Sequence, residues 1–311
     1  MANTYGKVSG TFQEIENAYG KVSGTWQEAD EIYAKVSGTW ELVFAAFTAG
    51  TIQTLSSGSG TFIVPDGANA IHIQASVGGG GGAAGGVSYD KAGGESSGAG
   101  GGSGAYVSDK VFTVTEGETI SYSIGGGGAP GNQTANFGQP KIGSAGTNTT
   151  LSGSTAGSIF TLGAGGGASG TGGGVQGPLR TNTAGTAGSA TISGSAITSG
   201  NFRDTDGVTK SVTTLNSGPV GTFNQSGNGA VGQNNGNCGG DNCQIAGSNG
   251  ADSYAGNISG GNGVGIGGPA ATAGTRGSGG GGGGAQNVGS TGETAFAGGA
   301  GEVRYRFLRV N

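Results

Sequence analysis

Residues 60–82 read GTFIVPDGANAIHIQASVGGGGG, and the reading of this stretch decides the fold. Thr61, Phe62, Ile63 and Val64 form a short β-prone run. It stops at Pro65-Asp66-Gly67, where Pro presets φ and Gly supplies a positive φ for the turn. Ile71, Ile73, Ala75 and Val77 then alternate with His72, Gln74 and Ser76, the period of a strand with one buried face. The same alternation puts His72, the only histidine, on the polar side, where it is expected to be a solvated strand residue. Polyglycine follows at once, in residues 78–82.

The idiom recurs twice. Val111-Phe112-Thr113-Val114 leads into Glu116-Gly117-Glu118 and out through Ile120, Tyr122 and Ile124, which predicts a hairpin. At the other end Val303, Tyr305 and Phe307 alternate with Arg304 and Arg306, running on to Leu308-Arg309-Val310-Asn311. First and last strands are expected to pair and close a small sheet around a glycine body. That body holds glycine runs at 78–82, 100–102, 125–128, 165–167 and 279–284, joined by Ala, Ser, Thr and Asn.

Glycine loses more backbone entropy on folding than any other residue, so order needs compensation. Polyproline-II-like strands offer it. They turn once every three residues, and with hydrogen as side chain they approach backbone to backbone. Interstrand N–H···O bonds, helped by Cα–H···O contacts, then replace an apolar core. A disordered low-complexity body is the alternative. The β frames at both ends favour order.

Composition removes several classes. Glycine accounts for 78 of 311 residues, yet collagen also needs strict spacing and abundant proline, and there are six prolines. No run of about 20 apolar residues predicts a membrane helix. The opening MANTYGKVSG lacks the basic and apolar regions of a secretory signal. A net charge of −5 does not attract phosphate backbones, so no nucleic-acid partner is expected. One histidine and 10% charged residues leave little acid–base equipment, so no enzyme, cofactor or metal is expected.

Residues 1–48 repeat with a period of 14: Tyr5-Gly6-Lys7-Val8-Ser9-Gly10-Thr11-Phe12 returns from Tyr19 to Trp26 and again from Tyr33 to Trp40. Such an array is one small unit stacked on its copies. As hairpins, each Ser-Gly is the turn and Lys7 opposes Phe12, Lys21 opposes Trp26 and Lys35 opposes Trp40. As a coiled coil, Tyr5, Phe12, Tyr19, Trp26, Tyr33 and Trp40 occupy heptad position a. Helix-internal glycines cost about 1 kcal/mol each, which favours stacked hairpins. Either way the aromatic stripe is too small for a monomer, and Tyr5, Phe12, Tyr19, Trp26, Tyr33 and Trp40 are candidates for self-association or docking.

Recognition is expected in the loops between glycine segments, at 201–217 and 222–258. The candidates are Phe202, Arg203, Asp204, Phe223, Asn234, Asn237, Asp241 and Tyr254. Planar aromatics beside amides and carboxylates suit sugars. Cys238 and Cys243 are the only cysteines; they form either a small disulfide at a loop tip or two free thiols. They cannot complete a zinc site alone. A faint likeness to calcium-binding nonapeptides around 249–263 lacks tandem copies and enough Asp.

The runs at 60–82, 101–128 (GGSGAYVSDKVFTVTEGETISYSIGGGG) and 279–310 (GGGGGGAQ…FAGGAGEVRYRFLRV) resemble the glycine-rich domain of bacteriophage tail fibres and their receptor-binding adhesins. The N-terminal repeat also resembles repeats in phage tail proteins, although hairpin repeats are not part of the adhesin pattern. The resemblance implies an all-β protein with a polyglycine-II helix sandwich. It divides into repeats (1–48), entering strands (49–125), a polyglycine-II body (126–301) and a closing strand (302–311). It implies a homotrimer made in the host cytoplasm and built into the virion tail. Its partners would be other tail proteins and a host surface polysaccharide or outer-membrane protein, bound non-covalently and without membrane insertion. The rivals are a structural tail component without receptor contact, an ice-binding protein, which needs a regular Thr spacing that the irregular positions here do not supply, and a depolymerase using Asp204 and Asp206 as a carboxylate pair.

Overall fold

A computed structural model describes residues 5–8, 11–14, 19–28, 31–36, 38–45, 47–82, 95–96, 98–131, 142–170, 182–216, 220–221, 234–235, 244–245, 274, 277, 285–286 and 295–311. At the N-terminal side, β1 (Tyr5–Val8) pairs with β2 (Thr11–Glu14), β3 (Tyr19–Val22) with β4 (Thr25–Glu28), and β5 (Glu31–Val36) with β6 (Thr39–Ala45). All three pairs are antiparallel. Lys7 lies opposite Phe12, Lys21 opposite Trp26 and Lys35 opposite Trp40. Ser23 and Gly24 link β3 to β4 with φ of 50° and 87°. Positive φ at both centres of a two-residue turn is the type I′ geometry that matches strand twist.

Ten further strands build two antiparallel sheets. They are β7 (Gln53–Leu55), β8 (Ser59–Ile63), β9 (Ala70–Val77), β10 (Tyr106–Thr113), β11 (Thr119–Ser123), β12 (Thr149–Gly153), β13 (Gly157–Leu162) and β14 (Ala190–Ile192), then, beyond a short hairpin of β15 (Asn201–Arg203) and β16 (Thr209–Ser211), β17 (Val220–Gly221) and β18 (Glu302–Leu308). The first sheet has the order β17-β10-β9-β18-β7 and the second β14-β13-β12-β11-β8. Their inner faces share one core. Ile71, Ile73, Phe112 and Val303 come from the first sheet; Ile120, Leu151, Phe160 and Leu162 come from the second. Between the sheets the Phe62 ring stacks on Tyr305 at 4.5 Å. Fully burying side chains of this size contributes roughly 1.5–3 kcal/mol each.

The outer face of the first sheet is not solvated, which corrects the expectation for His72. The segment from 195 to 216, with β15, β16 and the helical turn α1 (Val212–Leu215), lies over it. Phe202 and Val212 pack with Ala70, Val111 and Leu308 in a second cluster, and His72 on that face is 3% exposed. The period of the strand assigns the side but not what covers it.

Beyond the sheets the strands run on into glycine segments at 78–82, 98–105, 124–131, 142–149, 163–168, 184–189 and 295–301. Their hydrogen bonds step by three. Gly78 and Gly81 donate to Ala105 and Gly102, Gly79 and Gly82 to Thr147 and Ser144, and Gly80 to Gly299. Gly163 and Gly166 donate to Ser189 and Thr186, and Gly298 and Gly301 to Gly128 and Gly125. A β-ladder would step by two. Burial keeps the same period: 125, 128 and 131 are buried between exposed pairs, and 185 and 188 repeat the pattern. Segment 78–82 is central, sending N–H groups to three neighbours and accepting from Gly165, Ala168 and Gly128 of two more.

Close approach, not unusual φ, is what requires glycine here. A Cβ on Gly81 would sit 1.8 Å from the Gly166 carbonyl oxygen, and one on Gly102 would sit 2.0 Å from that of Thr186. Where the bundle thins, hydroxyls join in. Thr147 Oγ1 accepts from Gly126 N–H and Ser144 Oγ from Ala129 N–H, both at 2.7 Å, while each residue's own N–H bonds back to the same partner's carbonyl.

Candidate functional site

Chain direction gives the molecule two unlike ends. Val77, Tyr106 and Glu302 lie together where the first sheet meets the bundle, and Ser123, Thr149 and Leu162 do so in the second. The chain therefore climbs from the sheets through 78–82, 124–131 and 163–168 and returns through 98–105, 142–149, 184–189 and 295–301. The described bundle segments end at 82, 131 and 170 and resume at 98, 142 and 182, all at the end away from the sheets. β17 climbs beside β10 toward that same end; before segment 295–301 the chain is bonded to the bundle again at Gly274, which donates to Ala297 O at 3.0 Å, and at Gly277, which accepts from Gly104 N–H at 2.8 Å. The opposite end, the base, holds the turns 65–67 and 115–118, Ala49, Gly50 and Asn311. There Glu118 fastens two turns, accepting from Thr115, Thr155 and Ala156 N–H at 2.6, 2.9 and 3.0 Å.

The candidate recognition residues divide between these places. Phe223, Asn237, Asp241, Tyr254, Cys238 and Cys243 lie outside the described residues, within the stretch that leaves after 221. Asn234 lies in a two-residue ladder with Ser96, which joins that stretch to the one leaving at 82. Phe202, Arg203 and Asp204 are elsewhere. Residues 201–216 are not a loop at the tip but part of the cover on the first sheet, because Phe202 fills its apolar cluster and is 1% exposed. The Arg203 carbonyl accepts from Ala49 N–H at 2.8 Å at the base.

Around Phe202 lies an ionic cluster. Arg306 of β18 reaches across the outer face, donates to Asp204 Oδ1 and to His72 Nδ1 (3.4 Å), and lies 5.5 Å from the Phe202 ring centroid. Lys210 Nζ bridges Asp204 Oδ2 at 2.6 Å and Asp206 Oδ2 at 3.0 Å. His72 Nε2 lies 3.4 Å from Asp109 Oδ1 without hydrogen-bond geometry. Asp109 has a φ of 44°, at a point where the β9–β10 pairing skips.

Burial works against ionising Asp204, but the Lys210 ammonium, Thr205 N–H and Arg306 outweigh it and hold its pKa at about 2. The Val208 N–H, then Lys210, lower that of Asp206. Neither group is therefore a protonated acid near neutral pH; Asp204 ties the cover to the sheet through Arg306, and Asp206 braces the cover's own hairpin through Lys210. Burial first, then the Arg306 charge, push His72 down to about 4, against the pull of Asp109 and Asp204. Sequence reading singled out Asp204 and Asp206 but missed Arg306 and Lys210 as their partners. Lys210 carries a local signal, standing four residues after Asp206. Arg306 carries none, since it lies 102 residues from Asp204.

No curated protein matches the chain. A family model described as a glycine-rich domain matches residues 54–308, which takes in both sheets, the bundle and the closing strand. By that match the chain belongs to the glycine-rich domain family.

Proposed function

We propose that this chain is a bacteriophage tail adhesin, a virion protein that binds a host surface receptor non-covalently. The three-residue hydrogen-bond step and burial period support reading the glycine segments as a polyglycine-II bundle. The N–H···O network supports rigidity without an apolar core. In this reading the hairpin repeats, with Tyr5, Phe12, Tyr19, Trp26, Tyr33 and Trp40, stack, trimerise the protein and attach it to other tail proteins. Copies in one virion add avidity to weak single contacts.

The observation that carries the reading is polarity. The repeats join at Ala49 on the base, whereas the bundle segments that end at 82, 131 and 170 and resume at 98, 142 and 182 do so at the opposite end. One end is left for attachment and the other for contact. Burial of Phe202 takes one aromatic from the receptor side, so Phe223, Tyr254 and the amides at 234–242 become the residues of interest. Aromatics beside amides fit a surface polysaccharide; an outer-membrane protein is the other receptor class.

The test is adsorption. Intact protein should bind host cells and block phage attachment, whereas a folded version with 222–258 replaced by a short glycine linker should do neither. Failure of intact, folded, assembled protein across a broad host panel would leave a purely structural tail component.

A further inference from the structure

We propose that the strand pair β7–β18 is a tension clamp, oriented so that a pull between the repeats and the tip loads its hydrogen bonds together. The biological purpose rests on the adhesin reading, since only a connector between virion and cell carries such a pull. The mechanics rest on chain direction alone.

The chain enters the domain at the base. Ala49 N–H donates to Arg203 O at 2.8 Å and Gly50 N–H to Phe307 O at 3.0 Å. It then climbs: Gln53 lies opposite Tyr305, Thr54 opposite Arg304 and Leu55 opposite Val303. β18 descends beside it, straight out of segment 295–301, whose Gly298 and Gly301 are bonded into the bundle. Tension on Thr48 away from the tip therefore acts along β7, against a strand anchored from above.

Interstrand hydrogen bonds lie across the strands, so sliding stretches every rung at once. Side chains resist the same motion. Leu55 packs on the inter-sheet core, and Phe62 of the next strand stacks on Tyr305 of β18. A pull between Thr48 and Asn311 meets the same bonds in the weaker direction. Both points lie at the base, so the bonds of Ala49 and Gly50 and those that hold Val310 and Asn311 to Asn69 and Asn201 open one after another, and the rungs follow singly upward. One ladder thus has a strong axis, running from base to tip, and a weak axis across the base.

The experiment is single-molecule force spectroscopy on the full chain, with click-reactive side chains at position 48 and at either Ala145 or Asn311. Ala145 is exposed and lies on segment 142–149 near the tip. At equal loading rate the 48–145 pair should rupture at a force roughly twofold or more above the 48–311 pair, because rungs share the load in one case only. Gly50→Pro, which removes the N–H donated to Phe307, should lower the 48–145 force in protein whose circular dichroism is unchanged. Equal forces in the two directions would overturn the clamp. So would a first 48–145 event whose released length is that of segment 142–149 rather than of β7. Receptor binding enters none of these readings, so the clamp and the adhesin proposal fail separately.

Discussion

Two alanine substitutions in the glycine bundle should act in opposite directions, although neither position has left-handed φ. At Gly81 the new Cβ would lie 1.8 Å from Gly166 O and 2.5 Å from Gly166 C. Ordinary contact begins near 3.4 Å, so the two backbones must part by about 1.6 Å. Gly81 is in the central segment, where its N–H reaches Gly102 O at 2.7 Å and its neighbours Gly80 and Gly82 donate at 2.8 and 2.9 Å. A shift of that size strips two or three buried bonds, each costing about 1–3 kcal/mol when left unmade, so Gly81→Ala should lose about 3–6 kcal/mol. At Gly126, which is exposed, the nearest atom to the new Cβ is Thr147 Oγ1 at 3.8 Å. Gly126→Ala then mainly restricts the unfolded chain and should gain about 0.4–1 kcal/mol. Urea and thermal unfolding of both variants check the signs; about 2–4 °C accompanies each kcal/mol in a domain of this size. If Gly81→Ala falls within about 0.5 kcal/mol of the parent, backbone contact is not what requires glycine in the bundle. A loss at Gly126 as large as at Gly81 would mean that any side chain is refused, whatever the space.

His72 makes stability depend on acid. Its folded pKa of about 4 lies below the 6.5 of the free side chain, so the unfolded chain takes the proton first. Its contribution is complete above pH 6.5 and is lost as pH falls to about 4, a loss of about 3 kcal/mol. His72→Gln should flatten that part of a pH–stability curve and leave intact the separate loss below pH 4, where Asp204 protonates. Phe202→Ala should cost about 3–5 kcal/mol by opening the outer cluster. It should leave cell binding by the folded protein unchanged; selective loss of binding would return residue 202 to the receptor site.

What could be read from sequence follows from which interactions are local. The two faces of β9 follow from the alternation around His72, and the β10–β11 hairpin from Glu116-Gly117-Glu118. Whether a face is wet depends on what arrives from elsewhere in the chain. For His72 that is Phe202 and Val212, more than a hundred residues on, so strand period alone makes a buried histidine look solvated. The same remoteness hides the placement of residues 201–216. Asn201 to Asp206 have turn composition, and only the partners on β18 show that Asp204 is an internal anchor. The threefold step of the bundle does leave a trace. Gly143-Ser144-Ala145-Gly146 and Gly185-Thr186-Ala187-Gly188 place glycine every third residue, and these glycines face inward. Uninterrupted runs such as 78–82 erase the trace, because a row of glycines has no phase.

A body joined by backbone bonds separates fold from surface more completely than an apolar core does. In segment 142–149 the inward positions are 143, 146 and 149, while 144, 145, 147 and 148 face outward. Outward side chains touch little that the fold depends on, apart from the hydroxyls of Ser144 and Thr147 and the Asn148 amide oxygen that accepts from Ala164 N–H. The stretches between 82 and 98, 131 and 142, and 170 and 182 begin and end on bundle segments already fixed by several neighbours, so lengthening one costs only loop-closure entropy, about 0.6 kcal/mol per doubling. Such a scaffold tolerates large changes at the tip with small changes in stability. In the adhesin proposed above, that property would let the contact surface change while the attachment at the base stays the same.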